Sequence, residues 1–147
     1  DNDNNNNDNN TTKLSLFCFA WTPRRKGDEA VWREVRRQYE KCDGHLFFTD
    51  QDSIGPDPPD FARVPVPTQD TPRKDGMWLY HRNMVGLMPS WTHMFQTGLA
   101  DKYDWFINVE FDHFLSPARS RATIAAYVEG LKQGDAKDAE GPIMIMR

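Results

Sequence analysis

Lys13 to Trp21 reads KLSLFCFAW, an almost unbroken apolar and aromatic run closed by Thr22-Pro23. A strand with one wet face alternates apolar and polar residues; this run does not, so it needs cover on both faces. That requirement points to a parallel sheet with helices on each side. The rest of the chain supplies the alternation such a sheet needs. Asp28 is placed to cap a helix in which Ala30, Val31, Val35 and Tyr39 form the apolar stripe and the arginines face water, ending by Asp43-Gly44. His45 to Thr49 (HLFFT) reads as a second short strand. From Asp50 to Pro67 the prolines 56, 58, 59, 65 and 67 predict an irregular loop, with a brief extended piece at Arg63 to Val66.

Asp75-Gly76 precedes a long helical pattern from Met77 to Leu99, which Pro89-Ser90 should break or kink and Gly98 should end. The pattern is rich in Met, Trp and Leu, and its aromatics read as core rather than as a cofactor box. Tyr103 to Val109 (YDWFINV) is a third strand. Ser116-Pro117 opens a helix through about Lys132, because serine caps well and proline suits the first turn. Gln133 to Gly141 reads as a loop, and Ile143 to Met146 as the start of one more strand. The order predicts an α/β fold, Rossmann-like, with a mainly parallel sheet flanked by helices and no internal repeat.

With 147 residues, 38% hydrophobic and 12% aromatic, the chain has apolar stock for one compact domain. Asp1 to Asn10 holds only Asp and Asn and cannot bury surface to offset ordering entropy. Residues 1–12 are therefore expected to be a disordered lead-in, with the folded part at 13–147. Net charge is −4 and pI about 5.5, which argues against a nucleic-acid partner. The short basic runs Arg24-Arg25-Lys26 and Arg33 to Arg37 read as a solvated helix face. No stretch approaches the roughly 18 apolar residues of a membrane span, and no charged-then-apolar leader opens the chain. A soluble chain without membrane contact of its own is expected.

Two cysteines settle little by number, since a pair can equally be two buried thiols. Cys18 lies in the first apolar run, and Cys42 ends a helix that would fold back beside it, within bridging distance. A bridge would imply an oxidising compartment. The overlapping sequons Asn9-Asn10-Thr11 and Asn10-Thr11-Thr12 could be glycosylated there, although an Asn-rich tract produces sequons by chance.

Ligands of open α/β sheets gather at the carboxyl ends of the strands. Glu110-Phe111-Asp112-His113 follows directly on the third strand. Carboxylates at i and i+2 of an extended chain point to one side while the aromatic between them turns inward. That is a half-site for a hard divalent cation, Mg2+ or Mn2+, and a coordinating His113 would favour Mn2+. A solvated strand end with two acids, and a hydrogen-bonded loop histidine, are the bland alternatives.

The run from Tyr103 through Asp104-Trp105-Phe106 to Glu110-Phe111-Asp112 resembles the signature of the Fringe and core 1 beta-1,3-galactosyltransferase group, in which Asp-Trp-Phe precedes an acid-x-acid pair by three residues. Upstream, the first strand ending in Trp21-Thr22-Pro23, the Trp32-containing helix closing at Cys42, and His45 to Thr49 follow that group's order, and Cys18 and Cys42 sit where core 1 enzymes place a bridged pair. The similarity spans roughly Leu14 to Val128, and Asp104 to Asp112 is its specific stretch.

The resemblance implies a GT-A fold, a UDP-sugar donor, a glycan or glycoprotein acceptor, Mn2+ (or Mg2+) and inversion at the anomeric carbon. It also implies the Golgi lumen or secretory pathway, with a parent that could be membrane-anchored. By the same likeness Glu110 and Asp112 are the acid-x-acid pair, Asp112 the direct metal ligand with His113 beside it, and Thr22-Pro23 the rim of the nucleotide pocket. Asp50, just after the second strand, is a further candidate for that rim. In this sequence Glu110 stands where aspartate is usual and His113 where small hydroxyl residues are common. Trp78 and Arg82 are the nearest substitutes for the group's Trp-Gly-Lys-x-Lys stretch. The group's acceptor site, catalytic carboxylate and late metal-binding histidine fall beyond Arg147, so the domain is expected to be incomplete here, with no catalytic base assigned. A non-catalytic nucleotide- or metal-binding domain of the same shape, and a metal-dependent phosphoryl hydrolase, are the competing readings.

Overall fold

The computed structural model describes residues 14–22, 24, 27–50, 53, 55–67, 77–110 and 113–132. The expectations for the lead-in, for Pro23, Phe111 and Asp112, and for the loop and strand at 133–147 lie outside the described residues. The elements run β1 (Leu16–Trp21), α1 (Glu29–Tyr39), β2 (Gly44–Thr49), β3 (Phe61–Arg63), α2 (Met77–Gln96), β4 (Trp105–Asn108) and α3 (Pro117–Lys132). The four strands form one parallel sheet in the order β3-β2-β1-β4. An α/β fold is thus what the chain adopts.

β1 is buried along its whole length, as its composition requires. Leu16, Cys18 and Ala20 face Trp32, Val35 and Tyr39 of α1 and Ile124 of α3. Phe17, Phe19 and Trp21 face α2, where Met94, Leu87 and Trp91 cover them. A bridge joins Cys18 to Cys42, with Cα atoms 6.1 Å apart.

Several local expectations are corrected. Val31 and Ala30 are exposed, and Trp32 turns to the sheet in their place, because Trp32, Val35 and Tyr39 recur at i, i+3 and i+7 on one face. Asp28 occupies the cap position of α1 but has helical backbone angles and no side-chain cap bond. α1 stops at Tyr39, ahead of Asp43-Gly44 as expected, and Gly44 begins β2, where any Cβ would collide with the Tyr103 phenol. The extended piece after the proline loop is Phe61–Arg63 rather than Arg63 to Val66. Phe61 pairs with Phe47 and packs on it, and Ala62 and Arg63 pair with Phe48 and Thr49.

Pro89 lies inside α2 without ending it, and Ser90 Oγ donates to the Gly86 carbonyl within 2.8 Å. Past Gln96 the positive φ of Gly98 (68°) turns the chain, and the N–H groups of Gly98 and Ala100 donate back to the carbonyls of Phe95 and Met94. Tyr80 and Phe95 of α2 are aromatics expected in the core but are exposed, as are Met77, Met84 and Met88, because the helix carries a wider apolar arc than one sheet face can cover. Arg24 is not on a solvated helix face either. It precedes α1, pairs with Asp57 at 2.7 Å, and stacks over Trp32 and Phe61.

The amino edge of the sheet is closed by two carboxylates. Asp43 accepts from Leu16 N–H at 2.8 Å and from Arg121 at 2.9 Å. Asp104 accepts from the backbone N–H and the hydroxyl of Ser15, both at 2.7 Å. β4 accordingly starts at Trp105 rather than Tyr103, since Asp104 is spent on this clamp. The Ser15 bonds hold the Asp104 carboxyl below its usual range. Its stabilisation is therefore full above the unfolded value of about 3.9 and is lost as pH falls through the lower folded value. The Tm difference between wild type and Asp104→Ala is expected to persist near neutrality and to shrink steadily below about pH 4, as followed by thermal melts in a pH series.

Candidate functional site

With β2 and β3 on one side of β1 and β4 on the other, the chain reverses its direction of travel across the sheet between β1 and β4. The crevice at the carboxyl ends of those two strands is where an open α/β sheet binds ligands. Trp21 ends β1 there and Asn108 ends β4, followed by Val109 and Glu110. The backbone before Glu110 is firmly held. Val109 N–H donates to Phe19 O at 3.4 Å, and the Tyr39 hydroxyl donates to Val109 O at 3.2 Å. Burial pushes the Tyr39 phenol well above its ordinary value, so it remains a protonated donor.

Glu110 stands just past this anchored segment with its side chain 49% exposed. Its Oε2 lies 3.6 Å from His113 Nδ1, and its carbonyl accepts from His113 N–H at 3.0 Å. Such an exposed pair is worth little by itself. Carboxylate oxygen with imidazole nitrogen is a donor set that suits Mn2+. Among the described residues, no three His, Cys, Asp or Glu side chains converge on one point. Asp112 lies outside those residues.

Thr22 is buried, and its N–H donates to Phe48 O at 2.8 Å, binding the end of β1 to β2. Pro23 is not among the described residues. Asp50 follows β2 on the same edge but turns inward and is 3% exposed. Its Oδ2 accepts from Arg82 Nε at 3.0 Å and Nη2 at 2.8 Å, and its Oδ1 accepts from Ser53 Oγ at 2.9 Å. Arg82 Nη1 also donates to Pro67 O at 3.1 Å, and the guanidinium lies 5.9 Å from the Trp78 ring centre. Arg82 thereby locks α2 to the end of β2. The structure brings Glu110 and His113 together and directs Asp50 elsewhere.

A second polar group lies on the β3 side. Asp57 bridges Arg24 and Arg63 at 2.7 Å each, and Arg63 foremost holds its carboxyl below the usual range.

A cleft opens between α2 and the ends of β1 and β4, lined by Trp21, Asn83, Met84, Leu87, Asn108, Val109 and Glu110. Neither Trp21, quoted only as the end of the first strand, nor Asn83 is among the site residues expected from the sequence. Trp21 reads there as the last apolar residue of a strand and Asn83 as one polar residue in an apolar helix. Asn83 lies i−3 from Gly86, which packs on the Trp21 indole, and that spacing was the available signal.

Comparison of the chain with known protein families, curated proteins and solved structures returns no match. The likeness to the Fringe group therefore rests on the residues quoted for it.

Proposed function

We propose that this chain binds the nucleotide-sugar of a metal-assisted, inverting glycosyltransferase that moves a hexose from UDP to a hydroxyl of a glycan or glycoprotein. The observation that carries this reading is Glu110. It is the exposed carboxylate at the switch point of a parallel sheet, on a backbone pinned by Tyr39, within the stretch that resembles the Fringe signature. Glu110 and His113 would hold Mn2+ (or Mg2+) together with Asp112, and the metal would supply Lewis-acid stabilisation of the diphosphate leaving group. Thr22 and Pro23 would form the nucleotide rim. The Cys18–Cys42 bridge suits an oxidising compartment such as the Golgi lumen or another part of the secretory pathway.

Calorimetric titration of UDP into the purified chain tests the reading. Binding is expected with Mn2+ and not without it, and Asp112→Asn should abolish it. UDP binding that ignores Mn2+ and survives Asp112→Asn would sink the metal site. A non-catalytic binding domain is the second reading. Turnover of UDP-sugar in the presence of a glycan acceptor separates the two, and nucleotide consumption without an acceptor would mark a hydrolase.

A further inference from the structure

We infer that residues 143–146 (IMIM) pair along the outer edge of β4 as a fifth strand, beneath an apolar ridge that α2 holds out beyond the sheet.

The two edges of the sheet are built differently. β3 carries Arg63 and is bracketed by Pro59 and Pro65, and charge and proline are what keep an edge strand from recruiting a neighbour. β4 has neither. Its residues Trp105, Phe106, Ile107 and Asn108 bear no charge, and among the described residues β4 pairs with β1 alone. The first three are only half-buried, although β1 beside them is buried throughout. The N–H groups of Trp105 and Val109 donate to Ser15 O and Phe19 O, so strand alternation turns the N–H groups of Phe106 and Asn108 outward. This is the backbone of an interior strand with one side left to fill.

α2 overhangs that side. One flank of the helix faces β2, where Arg82 reaches Asp50 and the His93 ring meets Phe48. The other flank faces β4: Met84 and Leu87 share a cleft with Asn108, and the Trp91 ring lies 5.5 Å from that of Phe106. Tyr80, Met84, Met88 and Phe95 follow one another at one turn, one turn and two turns, a single line on the β4 side of the helix. All four are exposed, Met88 by 70% and Phe95 by 66%. The line is about 22 Å long and a strand of four residues about 13 Å, so the ridge can cover one face of such a strand completely.

α3 brings the chain to the same place. Near its start Arg121 donates to Lys41 O and to Asp43, the carboxylate that also holds the Leu16 N–H at the beginning of β1. Further along, the Tyr127 ring packs against Trp105 of β4. The helix thus crosses outward from β1 to β4 and ends at Lys132, more than a turn past Tyr127. Residues 133–142 then span up to about 33 Å, whereas a fifth strand lies only about 4.8 Å from β4.

The segment matches this seat. Ile143, Met144, Ile145 and Met146 put two apolar side chains on each face of an extended chain, so both faces need cover. The α2 ridge supplies one cover, and α3, with its half-buried Tyr127 and Leu131, supplies the other. A strand from a second copy competes for the same edge, but a tethered segment acts at an effective concentration of roughly millimolar order, above that of a separate chain.

Amide hydrogen exchange of the full chain, read by 1H–15N correlation, tests the pairing. The Phe106 and Asn108 amides are expected to be protected in the wild type, as Ile107, which faces β1, is. Ile145→Pro removes a donor and should speed exchange of Phe106 and Asn108 about tenfold or more, one backbone hydrogen bond's worth, while Ile107 holds its rate and reports an intact fold. Should Ile145→Pro fail to fold, methyl-labelled wild type decides. One alternate pair, Ile143 with Ile145 or Met144 with Met146, then shows through-space contacts to the methyls of Met84 and Met88, and their absence removes the inference. Phe106 and Asn108 amides that exchange at free-peptide rates in the wild type overturn it outright. So does protection that survives Ile145→Pro in a folded protein, which gives the edge to another segment, or protection lost on dilution, which gives it to a second copy.

Discussion

Arg82→Ala is expected to destabilise the fold by about 3–5 kcal/mol, the range for stripping one partner from a buried ion pair. Arg82 is 7% exposed and Asp50 3%, and two guanidinium nitrogens donate to the one Asp50 oxygen. Without Arg82 the Asp50 carboxylate would keep one bond, from Ser53, inside a site closed to water. Removing both charges together behaves differently, because an apolar pair of similar volume leaves no charge to compensate. Asp50→Leu with Arg82→Met should therefore cost clearly less than Arg82→Ala alone. Denaturant unfolding of the three proteins measures this. A single-variant loss below about 1 kcal/mol, the range of surface pairs, would mean that the pair is open to solvent.

The same pair shows where sequence reading reaches its limit. Asp50 is visible as a carboxylate just after an apolar strand, which makes it a plausible ligand contact. Its actual partner stands 32 residues away on α2, beyond a proline-rich loop, and no local pattern links the two. Asp104 is similar. It is a letter of the Asp-Trp-Phe stretch, yet its carboxylate clamps Ser15 across a separation of 89 residues, at the edge of the sheet opposite the candidate site. Gly44 and Gly86 matter because Tyr103 and Trp21 press against them, and neither neighbour is near in sequence.

Features carried by local physics were legible. β1 announces its two covered faces by the absence of alternation, and α3 begins at Pro117 after Ser116 as cap chemistry dictates. Glu110 was legible for the same reason, since an apolar run that closes on an acid leaves that acid just past the strand, here two residues after Asn108. Trp32 was missed because the choice between Val31 and Trp32 for the inward face depends on helix rotation, which the sheet sets and the stripe alone does not.

Removing the bridge by Cys18→Ala with Cys42→Ala is expected to cost about 3.5 kcal/mol, from the chain entropy of a loop of this length. The cysteines are 24 residues apart, and the loop they close contains α1 and the rest of the β1–α1 connection. The bridge ties the middle of the central strand to the turn that follows α1, so it limits how far α1 can separate from the sheet in the unfolded chain. Cys18 is fully buried and Cys42 packs against the same core, so the loss is felt where α1, β1 and α3 meet. A domain of ordinary stability has about 5–15 kcal/mol in all, which makes this roughly a fifth to two-thirds of the total. Equilibrium unfolding of the wild type with and without dithiothreitol, beside the double variant, provides the measurement. Reduced wild type and double variant should unfold at nearly the same denaturant concentration, both well below the oxidised protein. If reduction leaves the midpoint unchanged, the two thiols are not bridged in solution, and the support that the bridge lends to a secretory location goes with it.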